Sequence, residues 1–270
     1  MSQYDLQSLT AIIARLRSKQ GGCPWDLEQT HKSLIRNLLE ETYEVIEAIN
    51  QNNPQALADE LGDLLMQIVF HAQIAAENNE FNIDDVIQAI CTKMIRRHPH
   101  VFADTQVQSV EDVMTNWEII KKQEQQNRNR KSILDGVVPY LPALMKAEKV
   151  QDKAGKVGFE WDKMDGAADK LTEELNELQQ ALKNQDETEI EAEFGDLLFS
   201  LVNVARYLKI DPEHALNNTT DKFIRRFKYI EEQAQLQHRD LNEMSLEEMD
   251  QLWEKAKRLS IHNLKDQNYD

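Results

Sequence analysis

The chain has 270 residues, a formal net charge of −17 and a 41% hydrophobic content, enough for one large or two ordinary globular domains. Only 8 glycines and 6 prolines interrupt it, which argues against an all-β fold and for long helices. The negative charge repels nucleic acid and anionic membranes, and no apolar run reaches the ~18 residues that spanning a bilayer requires, so neither is expected as a partner. Work on an anionic substrate would then need a metal ion or a focused basic cluster. The two cysteines, Cys23 and Cys91, form no CxxC pair, and a cytoplasmic protein with inert thiols is expected.

The opening "MSQYDLQSLTAIIARLRSKQ" reads as an amphipathic helix, not a leader. From Leu38, "LLEETYEVIEAINQNNPQALADELGDLLMQIVFHAQ" predicts two helices joined by a polar turn, with Pro54 starting the second. "RRHPHVF" follows, its His98 and His100 flanking Pro99 at a loop or helix end. Ser109 then caps the helix that carries Trp117 and Lys121.

The polar run "QEQQNRNRKS", from Gln123 to Ser132, and the Gly136, Pro139 and Pro142 beyond it carry a linker signature. After it the text repeats. "LTEELNELQQALKNQDETEIEAEFGDLLFSLVNVAR", from Leu171, aligns with the segment from Leu38 without a gap. "KFIRRFKY" echoes "KMIRRHPH", and "SLEEMDQLWEKAKRL" echoes "SVEDVMTNWEIIKKQ", so that Trp253 matches Trp117 and Lys257 matches Lys121. Several echoing blocks in one order indicate a duplication. Residues 1–130 form the first half, 131–142 the linker and 143–270 the second half.

Each hairpin gathers acids. Glu174 and Glu177 share one helix face, and Glu193 and Asp196 share a face of the next. The antiparallel turn brings the two pairs together, with flanking leucines directed to a bundle core. Carboxylates converging in this way repel one another unless cations intervene, and hard oxygen ligands select Mg²⁺, Mn²⁺ or Ca²⁺. Glu41, Glu44, Glu60 and Asp63 repeat the set in the first half. Gly62 and Gly195 each cost a helix about 1 kcal/mol relative to Ala, which points to a close helix contact or room for a ligand. A carboxylate-bridged di-iron bundle needs Glu-x-x-His on two helices; only Glu28 and His31 fit, outside both hairpins.

The EExxE phrase, the ExxD step and the Gly-Asp-Leu-Leu core closely resemble the MazG family of nucleoside triphosphate pyrophosphohydrolases, in its two-domain form. "GGCPWD" and "RRHPHVFAD" are also similar to that type. The resemblance implies an all-α fold of tandem duplicated domains, with four-helix-bundle-like cores completed by dimerisation. It implies Mg²⁺-dependent cleavage of NTPs or dNTPs to monophosphate and pyrophosphate, with Mn²⁺ as a substitute. Glu174, Glu177, Glu193 and Asp196 would then be metal ligands and Glu173 a helper at the reacting water. Ala192 stands where family members often carry a further glutamate.

Lys222, Arg225 and Arg226 are the candidate phosphate clamp. Trp253 would stack on the base, with Lys257 one turn on, and Lys170 would reach a phosphate. By the same resemblance the second half is the catalytic one, and the first a structural or regulatory copy or a weaker site. The expected role is nucleotide-pool sanitation or stress-related nucleotide control, with room for a regulatory protein partner. A base-specific dNTP hydrolase and a non-catalytic nucleotide- or partner-binding dimer are the competing readings.

Overall fold

The computed structural model describes residues 4–126 and 131–266, with the side chains of Lys122, Gln125, Gln126 and 260–266 excepted. Within these residues all regular structure is helical. The chain divides into two compact units, Met1–Arg128 and Asn129–Asp270. The first holds α1 (Leu6–Leu16), α2 (Pro24–Glu28), α3 (Ile35–Asn50), α4 (Pro54–Glu77), α5 (Ile83–Arg97), α6 (Pro99–Phe102) and α7 (Val110–Gln126). The second holds α8 (Ala143–Gly155), α9 (Met164–Asn184), α10 (Glu187–Tyr207), α11 (Pro212–Leu236) and α12 (Leu246–Asp266).

The repeated hairpins are α3–α4 and α9–α10. Their turns are built alike. Asn52 and Gln185, at matching positions, both take a left-handed backbone with φ of 50° and 58°. The next residue caps the following helix: the Asn53 side chain accepts from the Gln55 and Ala56 amides, and Asp186 from those of Thr188 and Glu189. Such caps satisfy donors that helix starts leave unpaired. Ser109 caps α7 as expected and Ser245 likewise caps α12, each accepting from the amide three residues on, at 3.1 and 3.2 Å.

The packing order also repeats. α1 packs on α4 and α8 on α10; α5 packs on α4 and α7, as α11 does on α10 and α12. The cores differ in place. In the first unit Ile13, Leu34, Val69, Phe70 and Ile74 form the buried cluster around α1 and α4. Arg17, nearly buried beside it, ties α1 to Glu77 of α4 at 2.8 Å. In the second unit Ile230, Ala234, Met244 and Leu252 cluster between α11 and α12.

Three sequence expectations need correction. The leucines beside the acids do not all reach a core within the chain: Leu175, Leu182, Phe194, Leu198 and Leu201 are 40–55% exposed. A two-helix hairpin has two broad faces, and Ala181 and Val202, at 0% and 1% exposure, belong to the covered one. Leu39, Tyr43, Leu61 and Leu65 repeat this exposure in the first hairpin. The glycine reading is also narrowed. A Cβ added at Gly62 or Gly195 would meet nothing within 4 Å, so no close helix contact among the described residues requires either glycine. Finally, α7 runs on through Gln126, so the polar stretch begins as helix. The end of the first half at 127–130 lies outside the described residues. Beyond it, Ile133–Gly136 forms a single tight turn, and its Ile133 carbonyl accepts from Lys153 of α8 at 2.9 Å.

Candidate metal centre and nucleotide site

The antiparallel hairpin of the second unit brings Glu174 and Glu177 of α9 to Glu193 of α10, with one carboxylate oxygen from each lying within 4.8 Å of the others. Glu41, Glu44 and Glu60 do the same in the first unit. Three hard oxygen donors at this spacing fit a divalent cation of the Mg²⁺ or Ca²⁺ kind. Asp63 and Asp196 sit one turn after Glu60 and Glu193, are exposed, and stand outside the tight trios.

In the first trio desolvation and neighbouring carboxylates raise the proton affinity of two members. Partial desolvation, then the charges of Asp63 and Glu44, push the Glu41 carboxyl above its ordinary range, against a hydrogen bond from Gln67. Glu60 is raised too, first by desolvation and then by Glu44 and Asp63. Gln67 is 4% exposed, and its buried Oε1 finds no hydrogen-bond partner among the described residues.

The second trio holds a cation of its own. Lys170 Nζ lies 2.8 Å from Glu173 and 2.8 Å from Glu174, and these hydrogen bonds hold the ammonium charged far above neutrality. The matching residue of the first unit is Asn37. Glu174 is buried, at 5% exposure. Glu177 is still raised by desolvation, with Lys170 opposing and Glu174 and Glu193 adding to the shift. Lys170 is therefore engaged with carboxylates, and exposed Glu173 is paired with the Lys170 ammonium.

The basic residues sit on the next helices. Lys222, Arg225 and Arg226 lie on α11, the first two exposed, and Trp253 and Lys257 on α12. The Arg226 guanidinium rests over the Trp253 ring at 5.4 Å, and Phe223 lies 5.0 Å from that ring. Trp253 also packs on the core cluster, so it serves packing while staying half-exposed. Lys257 pairs with Glu254. Among the described residues no ion pair involves Lys222, Arg225 or Arg226.

The first unit repeats the stack, with Arg97 over Trp117 at 5.2 Å, but its arginines are occupied. Glu124 takes both, with Arg96 and Arg97 each at 2.5 Å. Sequence reasoning missed Glu124, which lies in the stretch read as linker. Its spacing was the available signal: it follows Trp117 by two helical turns on one face. His31, the lone Glu-x-x-His candidate, is held by His71 at 2.8 Å.

Comparison with known proteins decides the family. The MazG nucleotide pyrophosphohydrolase domain matches residues 29–102 and 165–230, once in each unit. The chain belongs to the MazG family. It is a hydrolase of the MazG pyrophosphohydrolase type, with two MazG regions in tandem. It is 47% identical over 251 residues to the nucleoside triphosphate pyrophosphohydrolase/pyrophosphatase MazG of Thermotoga maritima, covering 93% of this chain and 95% of that one. It is 41% identical to the nucleoside triphosphate pyrophosphohydrolase of Escherichia coli K12, over 97% and 99% of the two chains. An uncharacterized protein of Bacillus subtilis, YabN, is 49% identical over 94% of this chain, which spans 52% of that longer protein. No helix is long and apolar enough to cross a membrane among the described residues.

Proposed function

We propose that this MazG chain is a cytoplasmic Mg²⁺-dependent hydrolase of broad base preference, cleaving NTPs and dNTPs between the α- and β-phosphates to leave monophosphate and pyrophosphate. The second unit does the chemistry and the first is a structural or regulatory copy. The observation that carries this reading is the pairing, in one unit, of an acid trio with an arginine pair that no described carboxylate occupies. The names of the Thermotoga and Escherichia relatives support the substrate class. Removal of unwanted nucleotides is the role that broad base preference suits.

The donor set fits Mg²⁺, since three hard carboxylate oxygens lie within 4.8 Å of one another. Glu174, Glu177 and Glu193 would hold the ion, with Asp196 joining from the next turn; Mn²⁺ satisfies the same donors. Bound there, the ion would supply charge neutralisation at the phosphates and acidify a nearby water. The chain's residues do the rest. Arg225 and Arg226 offer forked donors to phosphate oxygens, and Lys222 a point charge. Lys170, already among the acids, takes phosphate charge at their edge, and Lys257 lies on the helix of Trp253. Trp253 offers a ring face to the base. Glu173 accepts the proton of a water attacking the α-phosphorus in line with the leaving pyrophosphate.

The exposed apolar faces of the two hairpins support dimerisation into four-helix cores, because contiguous apolar surface of this kind calls for a partner. The test is product analysis across a panel of NTPs and dNTPs, with Mg²⁺ or with EDTA. Monophosphate and pyrophosphate, lost in EDTA, are expected. Diphosphate and phosphate would put the cut at another bond. Nucleotide binding with no turnover would favour a non-catalytic binding dimer instead, and turnover of a single base the base-specific hydrolase.

A further inference from the structure

The arginine pair of the first unit already holds an anion, and it belongs to the chain. Glu124 Oε1 accepts from Arg96 Nε at 2.9 Å and from Arg96 Nη2 at 2.5 Å. Its Oε2 accepts from Arg97 Nη2 at 2.5 Å. The Arg97 and Glu124 side chains are each only 16% exposed. A carboxylate and a phosphate present the same forked acceptor to guanidinium. Around this contact the two units match: Arg97 lies over Trp117 as Arg226 lies over Trp253. What differs is the counterpart of Glu124, which in the second unit is Ser260.

We propose that Glu124 is a built-in occupant of an anion site in the first unit, its carboxylate filling the place on Arg96 and Arg97 that the phosphates of a polyphosphate ligand would take. The inference rests on reading the paired arginines as a phosphate clamp. Two guanidinium charges against one carboxylate leave the site positive, so it still attracts a polyanion. The ligand must displace Glu124 before it binds. The first unit is thereby held back as a polyphosphate site while keeping the arginine pair and the tryptophan of the repeat. The hydrogen bonds from Arg97, and then from Arg96, hold the Glu124 carboxyl down to about 2, so acidification within the physiological range does not release it.

The test uses the full chain and two probes, inorganic tripolyphosphate and an α,β-methylene nucleoside triphosphate, each titrated calorimetrically. Glu124→Ser copies the second unit, and Glu124→Gln removes the charge at constant length. Both variants are expected to gain a tripolyphosphate site, or to tighten the weaker one by about 10-fold or more, the scale of freeing a charged hydrogen-bonding pair. Adding Arg97→Ala to Glu124→Ser is expected to erase the gain. Unchanged titrations in both variants, with helix content retained by circular dichroism, would overturn the proposal. So would loss of helix in both, since the contact would then be a staple between α5 and α7. Failure of the methylene analogue to bind wild type would count against the proposed nucleotide hydrolase, and the tripolyphosphate titrations would still decide the role of Glu124.

Discussion

The two units carry the same hairpin, the same acids and the same arginine–tryptophan stack, and they balance their charges in opposite ways. In the first unit the acid trio has no ion-paired lysine or arginine among the described residues, while the arginines are closed by Glu124. In the second unit Lys170 sits among the acids, and the described residues leave the arginines open. Duplication hands both copies the same parts. A few substitutions around them, Asn37 against Lys170 and Glu124 against Ser260, accompany the opposite charge pairing.

Among the basic residues the largest expected effect comes from the arginines. Replacing Arg225 and Arg226 together with Ala should lower kcat/KM about 100-fold or more, because each loses a charge-assisted hydrogen bond to phosphate. The same double change at Arg96 and Arg97 should cost activity little, since those groups are taken by Glu124. Steady-state kinetics on the two double variants checks this. Equal losses would erase the contrast between the units.

Lys170→Met should have a smaller, two-sided effect. Without the ammonium the acids bind Mg²⁺ more tightly in the absence of nucleotide, by about 3- to 10-fold on the scale of a screened charge pair, while turnover falls. Calorimetric Mg²⁺ titration reads the first part. A weaker affinity would mean that Lys170 organises the acids instead of competing with the ion.

Acid strength gives a third contrast. Glu60 is raised above its ordinary range, so between its unfolded and folded pKa values the folded chain binds more protons than the unfolded one. Its ionisation therefore costs stability as pH rises through that window. Glu60→Gln should melt higher than wild type at pH 7 without Mg²⁺, and the gap should close as pH falls through the carboxylate range. Glu124, held at about 2, has the opposite sign. Its contribution is present above the unfolded carboxylate pKa and fades as pH falls towards about 2, so Glu124→Gln should melt lower at pH 7 and converge with wild type in acid. Thermal melts across pH read both, and a shared sign would contradict the account.

The smallest effect concerns the helix glycines. Gly62→Ala and Gly195→Ala should each stabilise the helix by up to about 1 kcal/mol, since open space surrounds both. Activity should fall only for Gly195→Ala if the proposed nucleotide site uses that space, which steady-state kinetics of the two variants checks.

Much of this was legible in the sequence for local reasons. The hairpins follow from apolar periodicity interrupted by polar turns, with Pro54 starting the second helix of the first, and the Ser109 cap from the acids of its first turn. The acid trios follow from i, i+3 spacing on facing helices. What escaped depends on side-chain reach and on which faces are covered. One turn of helix carries Asp63 and Asp196 beyond the tight trios. The long ammonium of Lys170 folds back onto acids of its own helix. Glu124 stood in a run whose polarity outweighed its helical register. The exposed leucines could not be foreseen, because periodicity names an apolar face and not what covers it.

The most direct test of the account compares Glu193→Gln with Glu60→Gln, the same change at matching members of the two trios, by Mg²⁺-dependent pyrophosphate release. The account predicts a loss of about 1000-fold or more for Glu193→Gln, on the scale of removing a group that holds the catalytic charge, and near-wild-type turnover for Glu60→Gln. Activity lost in Glu60→Gln and kept in Glu193→Gln would move catalysis to the first unit and contradict it.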